Sequence, residues 1–329
     1  MNVQTPVAAN LIAPDTSGTN FYRTDPSLAD LLRIHLSEKL FRHIDPHLDR
    51  LGGLVGGRLD ECGRMADRHG PVLHPRDKFG RDVQTIEYHP AYRELENAAF
   101  GEFGIHAMSH RKGILGWADT YPVTAKHAFT FLFNQCEFGM GCPINVTDGA
   151  AKLLSRFGDE GLKAKYLDGL TQTDMSRLTQ GGQFMTEKEG GSDVGKLTTT
   201  AVQEGDHWRL YGDKWFCSNA DAKVVMLLAR PQGAGPGTRG VGLFLMPRFL
   251  DDGSQNNYRI VRLKDKLGTR SMASGEITLE GAVTYSVGRL DRGFVQMAEM
   301  VNSSRLSNGV KSTALMRRAW HDAMAVARG

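Results

Sequence analysis

Two short segments crowd chemistry-bearing side chains together. Residues 185–194 read Met-Thr-Glu-Lys-Glu-Gly-Gly-Ser-Asp-Val, and 214–219 read Lys-Trp-Phe-Cys-Ser-Asn. Gly190 and Gly191 let a main-chain turn approach a ligand, because no Cβ stands in the way. Successive N–H groups in such a turn form a concave anion site. Thr186, Ser192 and Ser218 add hydroxyls that both donate and accept. Phe216 offers a flat apolar face. Alone, Phe216 would more often be core and Gly191-Ser192 a plain tight turn. Together they suit a large planar heterocycle tethered to a phosphate.

The elements that must position these residues change period along the chain. A helix begins at Pro26, with Thr24 or Asp25 as cap and Leu28, Leu31, Leu32 and Leu36 as its stripe. A second runs from about Pro46, with Leu48, Leu51, Val55, Leu59, Cys62 and Ala66 on one face. Gly52, Gly53, Gly56 and Gly57 thin it. Each glycine costs up to about 1 kcal/mol relative to alanine, so the group points to close helix contact or a break. Pro71, Pro75 and Gly80 make 70–85 read as a loop. Helical spacing is expected over 90–112, 123–140, 144–157 and 159–169. Segments 198–203, 208–216, 224–230, 241–246 and 276–279 then read as strands, and helical spacing returns from about 293. The expected class is α+β. It comprises an arm and helical domain (1–182), a small antiparallel β-domain (183–287) and the start of a C-terminal helical bundle (288–329). Residues 235–240, Gly-Pro-Gly-Thr-Arg-Gly, satisfy Gly-x-Gly-x-x-Gly, but a strand follows instead of a helix, which excludes a dinucleotide fingerprint.

The bulk numbers narrow the class further. The 329 residues are 40% hydrophobic and 23% charged, ordinary for a globular chain of two or three domains. A net charge of +3 is too weak to argue nucleic-acid binding by itself. The four cysteines, Cys62, Cys136, Cys142 and Cys217, form no Cys-x-x-Cys pair, which argues against zinc and fits a reducing cytoplasm. No run approaches the length of a membrane span.

Thr-Glu-x-x-x-Gly-Ser-Asp followed by Trp-Phe-x-Ser-Asn resembles the flavin-binding pair of the acyl-CoA dehydrogenase superfamily. With Lys-Asp-Lys-Leu-Gly-Thr-Arg-Ser at 264–271, the wording resembles the AidB branch of alkylation-response flavoproteins. The resemblance implies FAD held where the β-domain meets the helical domains. Thr186 would bond the pyrimidine end of the ring, Ser218 the flavin N5, and Phe216 would lie against the ring. Met185 would contribute its main chain, and Gly191 and Ser192 would touch the pyrophosphate or the acyl thioester. Arg305 matches an arginine on the substrate side. Residues 136–148, with Cys142 and Pro143, would wall the acyl pocket.

The family's catalytic carboxylate stands late in the C-terminal helical domain or, in some members, at the position of Ser304. A serine cannot serve there, and Glu299 is a poor substitute. The chain is therefore expected to be the N-terminal portion of a longer protein and inactive alone. Its last helix has an apolar face of Leu306, Val310, Ala314 and Trp320, which implies partner helices or self-association as dimer or tetramer. The AidB branch implies a second function, DNA binding through a basic distal C-terminal surface. Lys311, Arg317, Arg318 and Arg328 would be a stub of it.

Overall fold

The computed structural model describes residues 16–328; the arm expected over 1–23 falls partly outside them. Helix α1 (Pro26–His35) starts at its proline, but Asp25 does not cap it. The Asp25 carboxylate turns instead to Arg317, 3.2 Å away near the other end of the chain. Helix α2 (Glu38–Gly56) begins eight residues before the expected Pro46, capped by Ser37, whose hydroxyl accepts from the Leu40 amide. Pro46 sits inside it. Leu40, Phe41, Ile44, Leu48, Leu51 and Val55 are its buried row. Gly57 breaks the chain before α3 (Arg58–Arg68).

The clustered glycines serve neither a helix–helix crossing nor the break alone. The segment before α1 lies along α2: the amides of Gly18 and Phe21 donate to the carbonyls of Gly56 (2.7 Å) and Gly52 (3.1 Å). A Cβ on Gly56 would stand 1.7 Å from the Thr19 oxygen, whereas one on Gly53 would meet only Asn20 at 3.6 Å. Gly53→Ala is expected to stabilise by about 1 kcal/mol through helix propensity. Gly56→Ala should destabilise by about 1–3 kcal/mol, because backbone must move to admit the methyl. Urea midpoints of the two variants check the opposite signs.

Residues 70–85 are not a plain loop. Strands β1 (Val72–Arg76) and β2 (Asp82–Glu87) pair antiparallel. The turn closes through Asp77, whose carboxylate accepts from the amides of Phe79 and Arg81, and through Gly80 at φ +81°. Gln84 pins the hairpin to the main sheet: its Oε1 accepts from the Ile260 amide at 2.8 Å. The helix expected over 90–112 is α4 (Pro90–Glu96), which runs into a wide turn at Asn97–Glu102 and then gives way to irregular turns. Helices α5 (Val123–Phe133), α6 (Gly141–Phe157) and α7 (Glu160–Leu170) follow. The stretch 134–140, expected to be helical, is a turn held by the Glu137 carboxylate, which accepts from the Gly139 amide at 2.8 Å.

The main sheet comprises β3 (Gly181–Phe184), β4 (Thr200–Glu204), β5 (His207–Ser218), β6 (Val224–Pro231), β7 (Gly242–Pro247), β8 (Tyr258–Leu263) and β9 (Ser274–Ser286). Most pairings are antiparallel, and a β5–β9 ladder closes the sheet on itself; β6 runs parallel to β3 and β4. β3 and β8 lie outside the segments expected to be strands. The Gly235–Gly240 segment joins β6 to β7, so strand–turn–strand replaces the excluded dinucleotide motif. Helix α8 (Gly293–Arg328) spans about 54 Å. It packs on α5, α6 and β7, with Met300 filling the space above Gly149.

Candidate functional site

Both motif segments meet at one end of the sheet. Met185 and Thr186 run off β3, and Ser218 ends β5 paired with Gln183 of β3. The Thr186 carbonyl accepts from the Trp215 amide at 2.9 Å, which fixes Thr186 beside the last residues of β5. Met185 is half-buried against the core shared by β6, β7, α6 and α8. Asn219 follows Ser218 at φ +57°, and its side-chain amide donates to the Gly181 carbonyl at 2.9 Å. That bond holds a residue in the left-handed region that asparagine tolerates.

A buried ion pair joins the two segments. Glu187 Oε1 lies 2.6 Å from Lys214 Nζ, with the side chains 1% and 0% exposed. Lys214 also donates to the Leu228 carbonyl at 2.7 Å. Glu187 further accepts from the Thr198 and Thr199 amides and both hydroxyls. Burial alone would raise its carboxyl; Lys214 and these donors outweigh burial and hold it below the usual range. Neither residue was assigned a role from sequence. Lys214 is the lone charge of its segment, but Glu187 stands among Lys188, Glu189 and Asp193, so the sequence does not single it out.

The turn at 188–193 protrudes. Gly190 needs its missing side chain, since a Cβ would lie 3.1 Å from the Leu197 backbone. Gly191 faces open space, and it and Ser192 are exposed. Phe216 is 56% exposed, edge-on to Trp215 at 6.3 Å. Lys264 lies 4.7 Å from the Phe216 ring and is held by Glu276 at 2.8 Å. It borders a cleft of about 280 Å³ lined by Gly70, Pro71, Lys266, Arg270 and Ser274 among others. Among the described residues the hydroxyls of Thr186, Ser192 and Ser218 take part in no hydrogen bond. Polar hydroxyls at a sheet end, beside an exposed aromatic face and an open glycine turn, make a donor set that fits a flavin ring and its phosphates.

Arg305 belongs to α8 and not to the two motif segments. It is exposed on α8, with no ion-pair partner among the described residues. Its neighbour Ser304 accepts from Asn145 of α6 at 2.6 Å. Glu299 pairs with Arg156 at 2.9 Å and Lys152 at 3.4 Å. Neither position presents a free carboxylate.

Residues 12–176 match the Adaptive response protein AidB N-terminal domain family, and residues 182–282 match the acyl-CoA dehydrogenase middle domain. Acyl-CoA dehydrogenase family member 11 of Caenorhabditis elegans is 34% identical over 308 residues, 91% of this chain and 49% of its own length. The putative acyl-CoA dehydrogenase AidB of Escherichia coli K12 is 35% identical over 276 residues, 79% of this chain and 48% of its own. The crystal structure of Caenorhabditis elegans ACDH-11 in complex with C11-CoA superposes with a TM-score of 0.86 at 32% identity, over 97% of this chain and 54% of that one. The chain spans about half the length of the curated relatives it matches. With its helical part matched by the AidB domain and its sheet by the dehydrogenase middle domain, the chain belongs to the AidB-like members of the acyl-CoA dehydrogenase superfamily.

Proposed function

We propose that this chain carries the flavin-holding half of an FAD-dependent acyl-CoA dehydrogenase of the AidB type. One observation supports this above the rest: the Trp215–Thr186 bond and the Glu187–Lys214 pair bring unbonded hydroxyls on both segments to one sheet end. FAD bound there supplies a hydride acceptor for oxidation of an acyl thioester. Ser218 would donate to the flavin N5, the atom at which donors stabilise the reduced ring. Thr186 and the Met185 main chain would hold the pyrimidine end, and Phe216 would lie against the ring. Gly191 and Ser192 hold the phosphates or the thioester. The acyl group runs between α8, near Ser304 and Arg305, and the 136–148 segment with Cys142 and Pro143. The base is not supplied by Ser304 or Glu299, both of which are engaged.

The domain division proposed from sequence, with boundaries near 182 and 287, is retained as part of this reading. Of the four basic residues read as a stub of a DNA surface, Arg328 is exposed and the other three are buried or paired within the fold. Lys311 is buried, Arg317 pairs with Asp25, and Arg318 pairs with Asp60 (2.5 Å) and Asp322 (2.8 Å). No helix among the described residues is long and apolar enough to cross a membrane.

The visible absorbance of the purified protein after gel filtration tests the reading. A retained flavin spectrum is expected. Ser218→Ala should keep the unfolding midpoint and weaken flavin retention about five- to tenfold, the worth of one hydrogen bond. A colourless protein that takes up no added FAD overturns the reading.

A further inference from the structure

Helix α8 turns Ser304, Lys311 and Arg318, at a spacing of seven residues, toward α6, the α5–α6 connection and α3. Seven residues are close to two turns, about 10 Å, so the three share one face. Ser304 bonds Asn145, and Arg318 bonds Asp60 and the Gln135 carbonyl. Lys311, between them, is only 3% exposed, yet it has no hydrogen bond and no carboxylate within ion-pair distance among the described residues. Its ammonium lies 4.9 Å from the centre of the Phe138 ring.

The surroundings are built around this side chain. A Cβ on Gly141, in the first turn of α6, would stand 2.6 Å from Lys311 Cδ and 2.3 Å from Asn134 Oδ1. Glycine is therefore what admits the lysine stem. Asn134 is fully buried, and its Oδ1 has no partner. Glu137 is not the missing counter-ion. It is committed to the amides of Gly139 and Met140 and to the Ser271 hydroxyl (2.7 Å), and burial pushes its carboxyl up. Burial likewise pushes the Lys311 ammonium down. Across the same connection, Lys266 donates to the Met272 carbonyl (2.6 Å) and the Ser274 hydroxyl (3.1 Å).

A lysine buried along its stem whose ammonium has neither hydrogen bond nor counter-ion is costly, and methionine would fill the same space without that cost. A charge held in such a place calls for an anion that arrives with a ligand. We propose that Lys311 is a specificity residue that receives an anionic far end of the acyl group, so that the preferred substrates are ω-carboxyacyl thioesters. This rests on the reading above, in which the acyl group runs between α8 and residues 136–148. The two turns from Ser304 to Lys311 set the distance between the reacting carbons and the terminal charge. Asn134 Oδ1, buried and also without a partner, is a second unmatched polar atom beside the lysine stem.

Calorimetric binding to the flavin-loaded protein tests the proposal with octanoyl-CoA and octanedioyl-CoA, the same chain without and with a terminal carboxylate. The wild type should bind octanedioyl-CoA at least about tenfold more tightly, as expected for one charge-assisted contact in a dry site. Lys311→Met should reverse the order, and Lys311→Arg should keep part of the preference. The wild-type preference should also fade as pH rises through the lysine's lowered pKa. Equal affinities in the wild type overturn the proposal and leave the acyl-thioester reading standing. So does an unchanged preference in a Lys311→Met protein that is folded by circular dichroism. If neither thioester binds, the acyl-thioester reading falls and the proposal falls with it.

Discussion

Glu187→Ala is expected to cost about 3–5 kcal/mol of stability and to abolish flavin retention. Removing one partner of a buried pair strands the other charge. Lys214 would keep only the Leu228 carbonyl, and the Thr198 and Thr199 donors would lose their acceptor. The damage falls on both halves of the flavin motif, because this pair joins the turn after β3 to β5. The double variant Glu187→Met with Lys214→Met separates charge from packing. Apolar replacement of a whole buried pair is often close to neutral, so most of the loss should return. The pH dependence has a definite sign. The Glu187 carboxyl is held below its unfolded value, so its contribution is complete above about pH 4.3 and disappears as pH falls through the lowered folded value. Urea midpoints of wild type and the single and double variants, with the flavin spectrum of each, check these results. A single variant that loses less than about 1 kcal/mol would show that the pair does not hold the motif together.

Much of this architecture was legible because it rests on local patterns. β5 is a twelve-residue strand whose strand-like stretch, Trp208 to Phe216, is bounded by a Gly-Asp turn, and the motif residues at its end lie close together in sequence as well as in space. The features that escaped depend on distant partners. Strands β1 and β2 carry two prolines' worth of loop signal around and within them and expose most of their side chains. They are held by Gln84 reaching Ile260, a contact no local window contains. Pro46 normally marks a first helical turn, yet here it sits mid-helix, because the buried row from Leu40 to Val55 outweighs one lost backbone bond. Gly52 and Gly56 correctly signalled close approach, but the partner is the chain's own N-terminal segment. Glu187 and Lys214 are 27 positions apart, and only the closed sheet reveals that they answer each other.

Asp148→Asn should be as damaging as Glu187→Ala, for a related reason at the other side of the site. Asp148 lies inside α6, where its carboxylate binds Lys126 of α5 at 2.8 Å and His110 at 2.7 Å. One turn of α6 thereby anchors a neighbouring helix and the turn region after α4. The same helix supplies Asn145 to Ser304 and the Thr147 hydroxyl to the Gly181 amide (3.0 Å), just upstream of Met185. Displacing α6 therefore disturbs α8 and the flavin segment together. Burial alone would raise the Asp148 carboxyl, but His110 and Lys126 outweigh it and hold the group at about 2. Asparagine keeps the shape and removes the charge, leaving the Lys126 ammonium largely buried without compensation; a loss of about 3–5 kcal/mol is expected. Adding Lys126→Met should recover most of it, which a purely steric defect at position 148 would not allow. In the wild type the contribution is complete above about pH 4 and is lost as pH falls toward 2. That shift is worth about 2 kcal/mol of stability. Acid unfolding of wild type and the double variant should therefore differ most between about pH 4 and 2, with the wild type losing more. Superimposable acid profiles would mean that the Asp148 carboxylate is not the group whose protonation loosens α6.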